Sequence, residues 1–395
     1  MAALDGLRIL DLTQYEAGPS ATQALAWLGA DVVKVERPGE GEPGRGGAAL
    51  AGSGYFVNWN SNKRSLALDV GTAEGRDVFL RLVPRFDVVV ENFGPGVVER
   101  LRLVDEHVRA VHPTVIYASV KGFGLDGPYA DYKCFDGIAM AMAGAFSVTG
   151  ARDGRPLPPG PTMGDVGTGM QLALAICAAY VQKLRTGVGQ RIEVSMQEAM
   201  TYYMRSRIGL GSDYGRKAAP RMDSGRGALV NLYPCDPFGP NDFIYVMAVT
   251  DGMWRALCRA TGLTDFADDE RFSTDAARAR NSEVLRAAIE AWTRQHSKHE
   301  AMRMLAGAGV PCGAVLDTRE LHEDPHLLAR GFVHEIDHPD HGKVKILGWA
   351  PRMSESRVPI VPAAPLGAHT DDVLLEELGI DADALEGLRT RGVIA

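Results

Sequence analysis

One acidic side chain lies among glycines just before the longest apolar run of the chain. Asp165 belongs to the segment Gly-Asp-Val-Gly-Thr-Gly at residues 164–169, and an apolar stretch follows at residues 170–177. A carboxylate at this place would lie near a helix N-terminus, where free backbone N–H groups favour negative charge. The glycines would let a bulky reactant approach the backbone closely. Asp165 is therefore either a helix N-cap, which is the commoner role, or a carboxylate open to a bound reactant.

The overall composition is that of a soluble α/β enzyme. The chain has 395 residues, of which 46% are hydrophobic and 45 are glycine, enough for a large core and two domains. The 42 Lys and Arg residues against 50 Asp and Glu residues give a formal net charge of −8, which argues against a nucleic-acid partner.

Cysteine usage and the apolar runs indicate where such a protein works. Five cysteines without a C-x-x-C pair are typical of a reducing compartment, and they predict neither a disulfide framework nor a metal site. We expect no export signal, because Asp5 stands where such a signal needs apolar residues. The apolar run at residues 172–181 is too short to cross a bilayer. The sequence therefore predicts a cytoplasmic protein with no membrane partner.

Short β-rich segments alternate with helical ones through the first half of the chain. This alternation predicts an α/β fold with a Rossmann-like, doubly wound parallel sheet, which binds ligands beyond the carboxyl ends of its strands. No G-x-G-x-x-G motif follows the first strand, so a nicotinamide dehydrogenase fits poorly. The predicted strands are residues 7–12, 32–36, 87–91, 115–120 and 191–195, and the predicted helices are residues 18–28, 72–82 and 170–186.

Breaks in these patterns divide the chain. Residues 1–205 are predicted to form a large α/β domain that carries Asp165, and residues 206–240, rich in Gly, Pro and charge, a linker. A smaller α+β domain is predicted for residues 241–330. A second linker at residues 331–366 would lead to a helical C-terminal segment that returns to the large domain.

Several further segments accompany the Gly-Asp165 motif in a fixed order. They are residues 27–38, 58–69, 91–96, 121–129 and 190–195. Together these segments closely resemble the family III CoA-transferases, which include formyl-CoA and carnitine CoA-transferases and are related to α-methylacyl-CoA racemases. The resemblance is densest over residues 1–205. It implies an interlocked, ring-like homodimer with the active site at the boundary of the large and small domains.

The resemblance also implies a reaction and a role for Asp165. Members of this family move CoA from an acyl-CoA thioester to a free carboxylic acid, and the Asp that matches Asp165 is the nucleophile. An aspartyl anhydride and an aspartyl-CoA thioester would form in turn. CoA would be a substrate, with no permanently bound cofactor. Acetyl-CoA or succinyl-CoA and small mono- or dicarboxylic acids are the natural family substrates.

Twelve residues match family positions along the CoA groove. Cations suit the phosphates of CoA, although a lone Arg or Lys is more often a solvated surface residue. The backbone around residues 68–71 matches the adenine site. The matching residues are Arg37, Leu68, Asp69, Val70, Gly71, Asn92, Phe93, Gly94, Arg100, Lys121, Tyr132 and Lys133.

Five residues match positions near the reacting carbonyl or the acceptor acid, and one of them departs from the formyl-CoA transferases. Those enzymes show Gln where this chain has Glu16. A carboxylate there would change which acids are accepted, unless it is protonated and acts as a donor or points away from the site. Residues 224–235 also replace their glycine-rich loop, which argues against formyl and oxalate specificity. The five residues are Glu16, Ala17, Phe135, Asp136 and Gly164.

Two alternative functions share the Gly-Asp165 motif. An α-methylacyl-CoA racemase needs a second base, and in those relatives it is a His where this chain has Phe135, which cannot move a proton. A non-catalytic CoA-binding protein would be free to lose the nucleophile, which Asp165 retains. A CoA-transferase is therefore the favoured function.

Overall fold

The chain forms two compact units. The computed structural model describes residues 1–46, 53–222, 225–339 and 341–395. Residues 148–157 pack within the second unit, whereas the sequence-based division placed them in the large domain. Unit 1 comprises residues 1–147, 158–219 and 329–395, and unit 2 comprises residues 148–157 and 220–328.

Unit 1 is built on a parallel sheet of six strands, which confirms the predicted α/β class. The strand order is β3-β2-β1-β4-β5-β6, the order of a doubly wound sheet. Strand β3 lies in a segment that the sequence analysis identified as a motif but not as a strand. The strands are β1 (Arg8–Asp11), β2 (Asp31–Glu36), β3 (Arg64–Ala67), β4 (Val88–Glu91), β5 (Ile116–Lys121) and β6 (Arg191–Ser195).

Helices cover both faces of this sheet, which explains its apolar strands. Strand β4 is Val-Val-Val-Glu and is buried along its whole length. One core cluster contains Val89 and Phe79, and another contains Val88 and Ile176. The helices of this part are α1 (Ala17–Ala26), α2 (Gly54–Asn60), α3 (Ala73–Leu82), α4 (Val97–Leu101), α5 (Asp105–Val111), α6 (Asp136–Met142), α7 (Met163–Thr186), α8 (Met196–Tyr203) and α9 (Arg205–Gly211).

Helix α7 is longer than the apolar run that marked it in the sequence. It has 24 residues and reaches a mean hydropathy of 1.2, so by length and composition it could cross a membrane. The apolar run at residues 172–181, for which too short a span was predicted, is one part of this longer helix. Core helices of soluble proteins meet the same criterion, and α7 packs along α1.

Unit 2 is a small α+β body with an antiparallel sheet ordered β7-β8-β9. Its core includes Trp254, Leu257 and Phe272. The predicted linker at residues 206–240 contains most of α9 and all of β7, and Ser224 of the predicted specificity loop lies outside the described residues. The elements are β7 (Val230–Pro234), β8 (Phe243–Met247), α10 (Asp251–Thr261), α11 (Thr264–Asp268), α12 (Asp275–Arg280), α13 (Ser282–Thr293), α14 (Lys298–Gly307), β9 (Cys312–Ala314), α15 (Glu320–Glu323) and α16 (Pro325–Ala329).

The last part of the chain belongs to unit 1 and pairs with its sheet edge. Asp69 N donates to Val393 O at 2.9 Å, and Ala67 N donates to Thr370 Oγ1 at 3.1 Å. The stretch predicted as a second linker contains an antiparallel hairpin. These elements are β10 (Val333–His338), β11 (Gly342–Leu347), α17 (Thr370–Leu378) and α18 (Ala382–Thr390).

A buried ion cluster closes the carboxyl end of β1. Asp11 is fully buried and accepts hydrogen bonds from Thr13 N at 2.8 Å and Thr22 Oγ1 at 2.7 Å. Lys63 Nζ lies 3.1 Å from the same carboxylate. Burial would raise the pKa of Asp11, but Lys63 and Lys34, together with the hydroxyl donors, hold it below its ordinary value.

The two buried lysines extend this cluster into the following loop. Lys34 Nζ donates to Thr13 O at 2.7 Å, and Lys63 Nζ donates to Asn60 Oδ1 at 2.8 Å and to Pro19 O at 3.1 Å. Burial lowers the pKa of Lys63 to about 8, against the opposing pull of Asp11. The loop after β1 is therefore anchored by charge on its buried side.

We expect Lys63→Met to destabilise unit 1 by about 3 kcal/mol, because it leaves the buried Asp11 carboxylate with one counter-ion fewer. The measurement is the free energy of unfolding in urea. Lys343→Met is the matched control, since Lys343 pairs with Glu335 on the surface and should cost less than about 1 kcal/mol. Equal losses in the two variants would contradict this account of the cluster.

Candidate active site

Two neighbouring cavities open at the carboxyl edge of the parallel sheet in unit 1. The first, of about 360 Å³, is lined by Tyr15, Phe135 and Asp165, and the second, of about 570 Å³, is lined by residues 68–72. Gln14 and Phe93 line both cavities. Because loops that follow different strands meet at this edge, residues far apart in sequence come together here.

The start of helix α7 places Asp165 in the first cavity. The helix begins at Met163 with Thr162 as its N-cap, so Asp165 stands in the first helical turn and is not the cap. Asp165 N donates to Asp136 Oδ1 at 3.2 Å. A Cβ on Gly164 would lie 2.6 Å from Asp136 O, so only glycine lets α7 approach α6 this closely.

A second close contact fixes α7 against α1. A Cβ on Gly169 would lie 2.1 Å from Ser20 Oγ and 2.6 Å from Ala17 O. The two helices therefore touch at Gly169, where α7 presents no side chain to α1. This contact holds the start of α1 beside the start of α7.

Glu16 stands at the N-terminus of α1, next to the start of α7. Glu16 is 3% exposed. The Thr162 hydroxyl donates to one of its carboxylate oxygens, and the Tyr55 hydroxyl donates to the other at 3.2 Å. Burial, the largest effect, and the nearby Asp136 raise the pKa of Glu16, and the two hydroxyl donors oppose that rise.

The electrostatic surroundings of Asp165 disfavour its charge. Burial is the main cause, and the neighbouring carboxylates of Glu16 and Asp136 add to it, so the pKa of Asp165 rises to about 7. Burial of Cys134, together with the negative charge of Asp165, raises the pKa of the Cys134 thiol to about 11. That thiol is therefore protonated at neutral pH. The site therefore holds one carboxylate poised between its acid and its base forms.

The loop between β1 and α1 is clamped to the loop after β4. Asn92 Nδ2 donates to Gln14 O at 2.8 Å, and Gln14 N donates to Asn92 Oδ1 at 2.8 Å. The next residue, Tyr15, has a left-handed φ of 62°, and its N donates to Glu42 Oε2 at 2.9 Å. The Asn92 amide thus binds backbone as well as lining the first cavity.

The residues predicted for CoA are divided between the two cavities. Arg100 lines neither cavity, but its guanidinium lies beside Gly96, which lines the first. A Cβ on Gly96 would be 3.2 Å from that guanidinium. Phe93 belongs to both cavities. The second cavity takes Arg37, Leu68, Asp69, Val70 and Gly71, and the first takes Asn92, Gly94, Lys121, Tyr132 and Lys133.

Two of these cations already have protein partners. Lys121 is buried, and its Nζ donates to Glu91 Oε2 at 2.9 Å and to Phe93 O at 3.0 Å. Arg37 is exposed and lies 3.2 Å from Glu40. Lys121 therefore supports the Phe93 backbone, while Arg37 remains accessible to an anion.

Near Asp165, the five predicted carbonyl-side residues also lie together. Ala17 and Phe135 line the first cavity, and Glu16, Asp136 and Gly164 stand behind them around the start of α7. The Phe135 ring meets the Tyr15 ring edge-on, with 5.7 Å between their centroids. Sequence reasoning missed Tyr55 and Thr162, because nothing in the local sequence marks them as neighbours of Glu16. It also did not single out Tyr15, which directly precedes Glu16.

Comparison with known proteins identifies the family. A sequence model of CoA-transferase family III matches residues 4–370. The chain belongs to the family III CoA-transferases. This confirms the resemblance found in the sequence, and the chain is accordingly an enzyme of that family.

Named relatives and a solved structure match the chain over nearly its full length. A formyl-CoA:oxalate CoA-transferase from Streptomyces avermitilis is 39% identical over 99% of both chains. One from Rhodopseudomonas palustris is 38% identical over 99% of this chain and 97% of the relative. A crystal structure of a CaiB/BaiF family protein from Brucella suis aligns with a TM-score of 0.84 at 30% identity, over 95% and 99% of the two chains.

We expect the Asp165 carboxyl to titrate near pH 7, well above an ordinary Asp, and Glu16→Gln to lower that pKa by removing a neighbouring negative charge. Infrared difference spectroscopy can follow the carboxylate band, with Asp165→Asn to assign it. Glu40→Gln is the control, because Glu40 lines only the second cavity. An Asp165 pKa near 4 in the parent enzyme would show that the carboxylate is fully hydrated.

Proposed function

We propose that the enzyme moves CoA from an acyl-CoA thioester to a free carboxylic acid, with Asp165 as the nucleophile. The observation that carries this proposal is the position of Asp165, which lines the same cavity as Phe93, Gly94 and Lys133 of the CoA groove. Its pKa of about 7 supports the proposal, because a carboxylate freed from strong hydration is a better nucleophile and remains available near neutral pH.

The first half of the reaction would load CoA onto the enzyme. The Asp165 carboxylate attacks the thioester carbonyl, the C–S bond breaks, and an aspartyl–acyl anhydride and CoA thiolate form. The thiolate then attacks the aspartyl carbonyl of the anhydride. An aspartyl-CoA thioester forms, and the donor leaves as its free carboxylate.

The second half would repeat these steps with the acceptor. The acceptor carboxylate attacks the aspartyl-CoA thioester and releases CoA thiolate, giving a second anhydride. The thiolate attacks the acceptor carbonyl of that anhydride, which yields the new acyl-CoA and restores the Asp165 carboxylate. Each step moves one negative charge, so no outside base or oxidant is needed.

The surroundings of Asp165 suit this chemistry in two ways. An anhydride survives only where water is scarce, and the Tyr15–Phe135 pair with Ala17 gives the cavity an apolar side. The positive end of the α7 dipole lies at the reacting centre, where an oxyanion develops. Gly164 lets the first turn of α7 pack closely against α6.

CoA itself would lie along the two cavities as a substrate, not as a resident cofactor. The adenine would occupy the second cavity against residues 68–71, and the pantetheine arm would pass Phe93, which lines both cavities. Arg37, Arg100 and Lys133 would hold the phosphates. The two residues that line both cavities, Gln14 and Phe93, support this path.

We also propose a cytoplasmic, interlocked homodimer, as the family resemblance implies. Helix α7 presents Leu174, Val181 and Leu184 to solvent, with 71%, 44% and 69% of each residue exposed. These positions fall on one face of the helix. An apolar stripe of this kind is typical of a surface that another chain covers.

In light scattering, we expect a mass twice the 42.5 kDa of one chain. Because interlocked chains separate only by unfolding, tagged and untagged enzyme should form mixed dimers after refolding and not in native buffer. Leu184→Glu should reduce dimer recovery on refolding, whereas Leu375→Glu, at an exposed leucine of α17, should not. A monomeric mass, or mixing under native conditions, would refute interlocking.

For the nucleophile, we expect a covalent CoA adduct on Asp165 after incubation with a panel of acetyl-, propionyl-, butyryl-, succinyl- and formyl-CoA. Intact-protein mass spectrometry detects it, and hydroxylamine trapping locates it. Asp165→Asn should lose the adduct and all turnover, since it removes the attacking oxygen, with its far-ultraviolet circular dichroism retained. No adduct with any donor, combined with exchange of the substrate α-proton into deuterated water, would identify a racemase.

A further inference from the structure

The acceptor side of the first cavity carries negative charge close to the reacting carboxylate. Glu16 is buried beside Asp165, and its two oxygens already accept from Thr162 and Tyr55. Asp136 lies against the other side of Asp165, where it accepts from Asp165 N. Carboxylates therefore flank the nucleophile on two sides.

Positive charge to balance them is scarce in this cavity. Among the described residues that line it, the cations are Lys121 and Lys133. Lys121 is engaged by Glu91 and by the Phe93 carbonyl. The lining also includes the carboxylates of Glu99 and Asp131. Lys133, moreover, is the cation assigned above to the CoA phosphates.

The wall that faces the reacting centre is apolar. Tyr15 and Phe135 pack edge-to-face there, and Ala17, Cys134 and Met196 also line the cavity. The Phe135 residue is 59% exposed, so its ring offers free apolar surface to a bound molecule. An alkyl or aryl group would bury area against this wall and gain binding energy.

We propose that Glu16 makes this enzyme selective for monocarboxylic acids with an apolar body, and that it excludes dicarboxylic acids such as oxalate and succinate. This inference rests on the proposed transferase reaction and assigns its substrate class. A second carboxylate on the acid would lie in a cavity with Glu16 and Asp136 behind its wall. Of the cations among the described lining residues, Lys121 is paired and Lys133 is assigned to CoA.

The stage of the reaction makes Glu16 the decisive charge. When the acceptor attacks, Asp165 is a neutral thioester and does not repel it. The hydroxyl groups of Thr162 and Tyr55, one on each oxygen, favour the charged form of Glu16 and oppose the effect of burial. The one carboxylate that every acceptor must bring is consumed in the new bond, whereas the second charge of a dicarboxylate remains through every step.

The experiment compares butyryl-CoA with succinyl-CoA, which have the same number of acyl carbons and differ in one terminal carboxylate. Both would give the same CoA adduct on Asp165, so single-turnover mass spectrometry measures the two rates on one scale. In the parent enzyme, butyryl-CoA should react at least about tenfold faster. The free acid released is the product of the same anhydride that an acceptor would form, so donor and acceptor preference are linked.

Glu16→Gln tests the assignment to this residue. Glutamine keeps the size and a carbonyl acceptor but removes the charge, so the butyryl-to-succinyl rate ratio should fall about tenfold or more. Glu106→Gln is the control, an exposed carboxylate of α5 that lines neither cavity, and its ratio should stay at the parent value. Thermal unfolding of each variant reports whether the fold is kept.

The outcomes separate this inference from the proposed function. Equal adduct rates for the two thioesters in the parent enzyme, or a ratio unaffected by Glu16→Gln, would overturn the role of Glu16 while leaving Asp165 as the nucleophile. An adduct with succinyl-CoA alone would overturn the inference in the same way. Absence of an adduct with the whole donor panel would overturn the proposed function itself.

Discussion

A carboxylate in the interior of a sheet needs compensating charge, and the carboxyl edge of unit 1 is organised around that need. Asp11 is the last residue of β1 and is fully buried. Its charge is balanced by Lys34, in β2, and by Lys63, which directly precedes β3. The hydrogen bonds that complete the cluster involve the backbone of Thr13, in the loop that leads to Glu16. The position of the reacting centre thus depends on an ion cluster that touches no substrate.

Asp165 shows the opposite solution to the same problem. It too is withdrawn from water, but its charged neighbours are Glu16 and Asp136 instead of lysines, so its pKa rises where that of Asp11 falls. Folding stability therefore decreases as pH rises through the interval between the ordinary pKa of Asp and about 7, because the native state holds its proton longer than the unfolded state. The Asp11 carboxylate therefore stabilises the fold, whereas the Asp165 carboxylate is held in unfavourable surroundings that favour its reaction.

Local sequence patterns were sufficient for most of the scaffold and for the family. Val-rich β4 and the alternation of strands and helices indicated the parallel sheet. The equally short β3 was missed because its sequence, Arg-Ser-Leu-Ala, has no run of β-branched residues. The predicted C-terminal helix is two helices, since Gly379 adopts a left-handed φ of 64° between them. That glycine was visible in the sequence as a stop signal.

The site was harder to predict because its contacts are long-range. Asp165 and the carbonyl-side residues could be named from their match to family positions, and the structure brings them together. The partners of Glu16 could not be named, since Tyr55 and Thr162 reach it from distant segments. Nor did the sequence show that Lys121 is held by Glu91, because a buried ion pair and a free phosphate ligand have the same local sequence.

At Gly169, α7 presents no side chain to Ser20 and Ala17 of α1. The spacing of the two helices here is consequently set by the backbone of α7 against Ser20 and Ala17, which substitution of outward-facing side chains does not alter. The outer face of α7 is therefore free to drift in sequence or to adapt to a neighbouring subunit while the reactive end stays in place. The outer face and the reactive end belong to the same helix, yet selection can act on each of them separately.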